Sequence, residues 1–363
     1  MNQPSQQVQV DLGDRSYSID LGEALWEHLA ESMDRLFHPV RVAVITDDNV
    51  GPLYEPTLMD AFCDRGWNVS VHTMKAGETH KTLATVNRLY AEILDAGCDR
   101  KTPIVALGGG VPGDTAGFVA ATLLRGLPYV QVPTTLLAMV DSSVGGKTGV
   151  DMPQGKNLVG AFHQPCLVVI SVDTLQTLPA REFSAGMAEV IKYGVIYDAD
   201  LFARLEDDIE DLLGGDAAER TEVIRRCCEI KADVVSKDER ESGLRAILNF
   251  GHTVGHAIEA ASKYGEFLHG EAVAIGMMVE TALAEVRGKN LGGLRERLGP
   301  LLRRANLPIE PPDCDLDRIW RLMHADKKSL GGEIRMVLPE RLGEVTTQGG
   351  ISLKSVREAW GMC

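Results

Sequence analysis

The sequence predicts an α/β domain with a parallel sheet over residues 1–178, followed by an all-α domain over residues 179–363. Apolar runs without alternation recur in the first half between helical patterns, which is typical of a parallel sheet covered on both faces. From position 180 onward the patterns are almost all helical. A length of 363 residues also favours two domains, because single hydrophobic cores stop growing at about 250–300 residues.

The first domain is predicted to begin with a hairpin and to continue with alternating strands and helices. Residues 8–10 and 17–19 alternate in hydrophobicity around a Gly-Asp turn, which indicates the hairpin. Buried strands are predicted at 41–47, 68–74, 103–110, 129–133 and 166–170. Helical patterns precede residue 64, cover 82–96 and end near Leu124. Ligands of such sheets bind at the carboxyl ends of the strands.

The second domain is predicted to consist of helices joined by short connections. Segments with a spacing of 3.6 residues are 182–196, 200–213, 217–239 and 270–289. Residues 333–347 are predicted to form a single late hairpin. We find no long linker, internal repeat or low-complexity segment in the sequence.

Composition favours a soluble, cytoplasmic protein. The net charge of −15 argues against nucleic acid and anionic membranes as partners. The seven cysteines are scattered and contain no C-x-x-C motif, which predicts reduced thiols. We also find no apolar stretch long enough to span a membrane, and the first ten residues do not resemble a signal peptide.

A glycine motif follows the strand predicted at 103–110. Gly108, Gly110 and Gly113 form G-x-G-x-x-G before a helical pattern, which is the context of a dinucleotide-binding site. Glycines there let backbone N–H groups approach a pyrophosphate at the helix N-terminus. The expected acidic residue about 20 positions later is missing, although Asp47 could hold a ribose hydroxyl instead. The motif alone leaves a cofactor site and a plain strand–helix turn both open.

A second glycine-rich segment, 141–149, ends in Gly146-Lys147-Thr148 like a phosphate-binding P-loop. The first glycine of G-x-x-x-x-G-K-[ST] is replaced by Asp141, whose carboxylate would repel a triphosphate. We therefore reject a P-loop. Asp141 and Lys147 remain either a solvated pair on a loop or an active-site pair.

Three of the nine histidines fall within eighteen residues: His252, His256 and His269. Zinc prefers imidazole ligands, and its catalytic sites use three protein ligands with an open position. Spacing makes His252 and His256 the natural pair on one helical face, but the glutamate of an H-E-x-x-H motif is missing. The candidates for a third ligand are Glu189, Glu259 and Glu271.

Several cations could form a local pocket for an acidic substrate in this acidic chain. They are Lys147, Lys156, Lys192, Lys231, Arg245, Lys327 and Lys328. Surface salt bridges explain most lysines and arginines, so the residues alone do not decide between the two interpretations.

Taken together, these segments resemble the 3-dehydroquinate synthases, a family of sugar-phosphate cyclases. The resemblance runs from about Val42 to Leu338. It rests on GGGVPGD (108–114), VPTTLLAMVDSSVGGKTGVD (132–151), GKNLVGAFHQP (155–165), TLPAREFSAGMAEVIKYG (177–194), GLRAILNFGHTVGHAIE (243–259) and LHGEAVAIGM (268–277). One departure is Pro112, where the family usually has a small aliphatic residue; proline suits a first helical turn, so little effect is expected.

The resemblance implies a Rossmann-like NAD-binding domain over 1–178 and a helical domain over 179–363 that binds metal and substrate. It implies a homodimer, with NAD and Zn²⁺ or Co²⁺ as cofactors. The implied reaction converts 3-deoxy-D-arabino-heptulosonate 7-phosphate, a sugar-phosphate acid, into 3-dehydroquinate and phosphate. This reaction is a phosphate-eliminating lyase step of the shikimate pathway to aromatic amino acids.

The resemblance also implies roles for individual residues. The metal ligands would be Glu189, His252 and His269, which corrects the spacing argument and moves His256 to catalysis and the phosphate site. NAD would contact Asp47, Asn49, Glu78, Lys81, Gly109, Gly110, Asp114, Thr134, Thr135, Asp141, Lys147, Lys156 and Thr177. The catalytic set would be Lys147, Lys192, Glu241, Arg245, Asn249 and His256. Further substrate contacts would be Arg125, Asp141, Lys156, Asn157, Lys231, Lys327 and Lys328, with Arg125 reaching the neighbouring subunit.

Three alternatives remain open. A sister cyclase would act on another sugar phosphate, although Arg245 and Asn249 favour a carboxylated substrate. A metal-dependent NAD(P) alcohol or glycerol dehydrogenase would need no such set of lysines and arginines. A catalytically inactive binding protein would be expected to lack at least one ligand or lysine, and none is missing.

Overall fold

The structure is a computed structural model that describes residues 3–38, 41–262, 266–326 and 334–363. The chain forms two compact units. The first comprises Met1–Leu178 and Arg220–Arg240, and the second comprises Pro179–Glu219 and Glu241–Cys363. None of the described helices is long and apolar enough to cross a membrane. All seven cysteines are free thiols.

The first unit alternates strands with helices, as the apolar runs predict. Its strands are β1 (Gln6–Val10), β2 (Tyr17–Gly22), β3 (Arg41–Asp47), β4 (Asn68–Met74), β5 (Ile104–Gly108), β6 (Tyr129–Pro133), β7 (Lys147–Met152), β8 (Gly155–Phe162) and β9 (Leu167–Ser171). Its helices include α1 (Trp26–Phe37), α2 (Gly51–Cys63), α3 (Leu83–Asp95) and α4 (Gly110–Thr122).

Seven of these strands form one sheet in the order β1-β2-β9-β6-β5-β3-β4. All neighbours are parallel except β1 and β2, which form the predicted antiparallel hairpin. Val42 and Val44 of β3 pack into the core on the side of α1 and α2, and Ala43 and Ile45 pack on the side of α3 and α4. Because both faces of the strand are covered, its sequence is apolar throughout. The predicted parallel-sheet fold is confirmed.

A second hairpin in this unit is not anticipated from the sequence. Strands β7 and β8 pair antiparallel, with Lys147 opposite Phe162. Gly149 lies opposite Gly160, and a Cβ on Gly160 would lie 2.2 Å from the carbonyl oxygen of Thr148. The glycines that suggest a loop in the sequence are therefore needed for the close approach of two strands.

The second unit is helical with one hairpin. The helices after residue 179 are α5 (Ala180–Ile196), α6 (Ala199–Gly214), α7 (Ala217–Lys237), α8 (His252–Ala261), α9 (His269–Val286), α10 (Leu294–Arg304), α11 (Leu316–Asp326) and α12 (Leu353–Trp360). The hairpin predicted at 333–347 is β10 (Met336–Arg341) paired with β11 (Glu344–Gln348).

Most of α7 belongs to the first unit, so the predicted domain 179–363 differs from the second unit by residues 220–240. Lys231 of α7 donates hydrogen bonds to both the carbonyl and the carboxylate of Asp141. The thiol of Cys228 donates to the carbonyl of Met139 at 3.4 Å. The position of α7 in the first unit is set by contacts with residues distant in sequence. Hydrophobic periodicity gives no information about such contacts.

Two glycines of α9 permit unusually close helix packing in the second unit. A Cβ on Gly270 would lie 1.8 Å from the carbonyl oxygen of Ala185 on α5. A Cβ on Gly276 would lie 1.9 Å from the carbonyl oxygen of Gly251, which precedes α8. Only hydrogen fits at these positions, so α5, α8 and α9 approach backbone to backbone.

Candidate active site

Three potential metal ligands converge in the second unit. Glu189 lies on α5, while His252 and His269 are the first residues of α8 and α9. Their ligand atoms all lie within 4.8 Å of one another. The Nε2 atoms of His252 and His269 are 3.6 Å and 3.9 Å from Glu189 Oε1. A carboxylate and two imidazoles form a donor set typical of catalytic zinc.

Glu189 is a buried carboxylate whose surroundings favour a cation. Its side chain is completely inaccessible to solvent, and Lys192 Nζ donates a hydrogen bond to Oε2. The other oxygen, Oε1, has no hydrogen-bond partner among the described residues. A buried, unpaired carboxylate oxygen is costly. The histidines beside it therefore complete a pocket that suits a metal ion.

The N-terminus of α8 orients His252. Gly251 adopts a left-handed backbone conformation (φ +79°), and its N–H donates to Oε2 of buried Glu280 at 2.7 Å. His252 Nδ1 donates to the Phe250 carbonyl at 3.0 Å, which leaves Nε2 to face Glu189. Burial lowers the pKa of the His252 imidazole well below its ordinary value, and the Lys192 ammonium lowers it further. A neutral imidazole is the form that binds metal.

His256 lies beside these ligands, with its ring centroid 5.4 Å from that of His252 and 5.9 Å from that of His269. Among the described residues, the groups able to hold a metal are Glu189 with His252 and His269, and His256 with Glu259 and His269. Neither combines His252 with His256, so the pair favoured by spacing does not share a site. Residues four apart share a helical face, but their ring nitrogens need not converge.

Glu271, a third-ligand candidate from spacing, has a different role. Its carboxylate accepts two hydrogen bonds from Arg181, at 2.7 Å and 2.8 Å, and one from the Leu268 N–H at 2.8 Å. It therefore ties the start of α9 to α5. Sequence analysis assigns no role to Arg181, although it lies within the quoted string 177–194, or to Glu280, which lies just beyond 268–277; their support of the ligand-bearing helices is seen only in their hydrogen bonds.

The other predicted catalytic residues of the second unit lie around a short 3₁₀ helix, Leu244–Asn249. Arg245 is almost completely buried, at 2% exposure. Asn249 Nδ2 donates to Glu241 Oε1 at 2.7 Å, and Glu241 has a left-handed backbone (φ +58°). Lys327 and Lys328 lie outside the described residues.

In the first unit, Lys81 connects residues predicted to contact cofactor and substrate. Its buried ammonium donates to Asp114 Oδ2 at 2.6 Å and to Asn157 Oδ1 at 2.5 Å. Asn157 has a left-handed backbone (φ +54°), and its N–H donates to Asp151. Glu78 lies 3.9 Å from the same ammonium. The structure thus brings together residues that the sequence separates widely.

The predicted glycine turn lies at the carboxyl end of β5 and leads into the first turn of α4. A Cβ on Gly109 would lie 3.0 Å from Thr135 Cγ2, so this close packing favours glycine. The Thr134 N–H donates to the Gly108 carbonyl at 3.0 Å. The first N–H groups of a helix bind anions, so this turn suits a pyrophosphate. Asp47, at the end of β3, accepts hydrogen bonds from the N–H groups of Asn49 and Val50, both at 2.9 Å.

The remaining predicted cofactor and substrate contacts of the first unit are either half-buried or exposed to solvent. Asp141, in a π-helical turn (Ala138–Ser142), pairs with buried Lys231 at 2.6 Å. Thr177 is exposed and hydrogen-bonds to the Tyr54 hydroxyl. Lys156 is half-buried, whereas Asn49, Arg125 and Lys147 are exposed.

The chain is similar to known proteins over nearly its whole length. Sequence models for 3-dehydroquinate synthase match residues 71–185 (N-terminal domain) and 186–329 (C-terminal domain). A 3-dehydroquinate synthase of Geobacter metallireducens is 49% identical over 354 residues, covering 98% of each chain. A 2-epi-5-epi-valiolone synthase from Streptomyces hygroscopicus, solved with NAD⁺ and Zn²⁺, superposes with a TM-score of 0.90 at 29% identity, covering 97% of this chain and 98% of that one.

A solved 2-deoxy-scyllo-inosose synthase, complexed with carbaglucose-6-phosphate, NAD⁺ and Co²⁺, has a TM-score of 0.88 at 28% identity. The alignment covers 98% of this chain and 99% of that one. The family models together cover more than half of the chain, and the Geobacter relative covers nearly all of it. The chain therefore belongs to the 3-dehydroquinate synthase family.

Proposed function

We propose that this protein is a 3-dehydroquinate synthase, which converts 3-deoxy-D-arabino-heptulosonate 7-phosphate into 3-dehydroquinate and phosphate. The observation that carries this function is the convergence of Glu189, His252 and His269 around an unpaired buried oxygen. The relative that is 49% identical over 98% of the chain favours this substrate over those of the cyclases at 28–29%. Because phosphate elimination breaks a carbon–oxygen bond, the enzyme would be a lyase.

The donor set fits a divalent cation such as Zn²⁺ or Co²⁺, held by Glu189 and the two histidines. Lys192 compensates the charge of Glu189 at Oε2 and leaves Oε1 available to the metal. The residues of the first unit fit NAD, with the glycine turn at the pyrophosphate and Asp47 at a ribose. When bound, the metal lowers the pKa of a substrate hydroxyl, and NAD⁺ accepts and later returns a hydride.

The substrate passes through transient oxidation, elimination of phosphate, reduction, ring opening and an intramolecular aldol closure, so no net redox change occurs. The residues of this chain hold the charged groups throughout. The planar guanidinium of buried Arg245 suits the substrate carboxylate. Lys147, Asn157 and His256 are proposed to hold the phosphate by charge-assisted hydrogen bonds. Glu241 is proposed to act with Asn249, to which it is already hydrogen-bonded.

We also propose a homodimer in which Arg125 reaches the phosphate site of the neighbouring subunit. Arg125 is exposed and has a left-handed backbone (φ +73°), as does Leu124 before it (φ +52°). Such backbone strain in non-glycine residues is concentrated at functional positions. Light scattering of the purified protein should give twice the mass of one chain, and a monomeric mass would contradict this arrangement.

The function is tested by incubating purified protein with substrate, catalytic NAD and Zn²⁺ while phosphate, product mass and NADH absorbance are followed. Phosphate release matched by 3-dehydroquinate, without net NADH, is expected. Metal-loaded, folded protein that releases no phosphate would refute the proposal, and accumulation of NADH with simple alcohols would indicate a dehydrogenase.

Two variants test individual roles in this assay. His269→Ala should lose metal and turnover while remaining folded. Arg245→Ala should lose turnover of the carboxylated substrate, whereas Arg303→Ala, which breaks an exposed ion pair with Glu310, should not. Full activity in metal-free protein would refute the metal site that includes His269. Wild-type kinetics in Arg245→Ala would remove Arg245 from the substrate site.

A further inference from the structure

The ring of His269 lies between two buried carboxylates. Its Nε2 is 3.9 Å from Glu189 Oε1, and its Nδ1 is 3.5 Å from Glu259 Oε2. The side chain of Glu259 is only 4% exposed. Burying a carboxylate is costly unless it has a polar or charged partner, and the Nδ1 side of His269 provides one.

The second histidine of the proposed metal site shows the same arrangement with a different partner. His252 Nδ1 donates to the Phe250 carbonyl, and its Nε2 faces Glu189 Oε1. Both rings therefore direct Nε2 toward one carboxylate oxygen and Nδ1 toward an acceptor. For His252 the acceptor is a backbone carbonyl, whereas for His269 it is the Glu259 side chain.

Helix α8 places Glu259 for this contact. His252, His256 and Glu259 follow one another at spacings of four and three residues, so they share a face of α8. The close approach of α8 and α9 at Gly276 brings that face against the N-terminus of α9, where His269 lies. Glu259 can thus reach His269 although it is not a proposed ligand of the same metal.

We propose that Glu259 is a positioning residue whose carboxylate accepts the Nδ1–H of His269. This contact selects the tautomer with a free Nε2, fixes the plane of the ring and makes the imidazole a stronger donor to a metal. The inference rests on the proposed metal site. A different role is a second cation bound by His256, Glu259 and His269. That cation would compete with the proton on Nδ1, so the two roles exclude each other.

Metal binding distinguishes these roles without measuring turnover. Zinc affinity is determined by competition with a chromophoric chelator for the wild type, Glu259→Gln and Glu259→Ala. The matched control is Glu266→Gln, since Glu266 is an exposed glutamate in the segment before His269. We expect Glu259→Ala to bind zinc about 10- to 100-fold more weakly. Glu259→Gln should be intermediate, because its amide oxygen still accepts a hydrogen bond, and Glu266→Gln should equal the wild type.

A spectroscopic measurement separates positioning from a general loss of structure. In zinc-loaded protein labelled with ¹⁵N-histidine, the Nδ1–H resonance of His269 should shift in Glu259→Gln while that of His252 remains unchanged. Thermal unfolding of the metal-free variants shows that they are folded.

Wild-type zinc affinity and spectra in folded Glu259→Ala would overturn the role of Glu259 but not the proposed metal site. Binding of two zinc ions by the wild type, one of which is lost in Glu259→Gln, would also overturn it. A wild-type protein that binds no zinc would instead refute the proposed metal site and, with it, this role of Glu259.

Discussion

Replacing Gly270 with alanine should push α9 away from α5 and weaken metal binding. Gly270 follows His269, and the atom that a Cβ would meet is the carbonyl oxygen of Ala185. Ala185 lies one turn before Glu189 on α5, so it shares a helical face with that proposed ligand. The contact made by Gly270 therefore determines how closely His269 approaches Glu189.

The structure gives the size of the displacement. The added Cβ would lie 1.8 Å from the Ala185 oxygen, whereas a normal carbon–oxygen contact is about 3.3 Å. The backbones of α5 and α9 must therefore separate by about 1.5 Å, because neither the added Cβ nor the main-chain carbonyl can rotate out of the contact. Metal–ligand distances tolerate only about 0.2 Å. We expect zinc affinity to fall by about 100-fold and the free energy of unfolding to fall by about 3 kcal/mol.

Urea unfolding of the metal-free protein and chelator competition for zinc measure the two effects separately. Gly214→Ala is the matched control, because Gly214 is also helical and its Cβ would have no neighbour within 4 Å. The control should be as stable as the wild type and bind zinc equally well. If Gly270→Ala unfolds at the same urea concentration and binds zinc like the wild type, close packing does not set the ligand geometry.

Three further predictions concern stability, pH and metal. Glu280→Gln should lower the free energy of unfolding by about 1–3 kcal/mol in urea, because it weakens a buried acceptor of the Gly251 N–H; unchanged stability would contradict this. The pKa of Glu239 is lowered from 4.5 to about 2, chiefly by the two hydrogen bonds that Arg15 donates and further by a hydrogen bond from Gln164. The pair therefore stabilises the fold fully above pH 4.5, and its contribution is lost as the pH falls toward 2. Because Arg15 is largely exposed, Arg15→Ala should cost only about 0.5–1 kcal/mol at pH 7 and less at pH 3.5; a pH-independent difference would refute the assignment. Removing metal with a chelator should abolish phosphate release, and added Zn²⁺ should restore it without a change in circular dichroism; persistent release would exclude a metal requirement.

Much of the fold could be predicted from local patterns. The run RVAVITD at 41–47 coincides with β3, because a strand buried on both faces must be apolar at every position. Residues 182–196, whose apolar side chains repeat with a helical spacing, lie within α5. The spacing predicts the helix because a helix with a buried face repeats its apolar residues about every 3.6 positions. The β7–β8 hairpin was missed because its glycines resemble those of a loop.

The sequence by itself determined the types of side chain available for chemistry and, through several ordered motifs, the family to which the chain belongs. It did not determine which residues meet. Spacing left Glu189, Glu259 and Glu271 open as third ligands; the family resemblance pointed to Glu189, and the structure gives the physical reason that separates the three. Glu189 has an unpaired oxygen, Glu259 faces the far side of His269, and Glu271 is occupied by Arg181. This distinction depends on how closely α5, α8 and α9 pack, and that distance is set by contacts between backbones far apart in the chain.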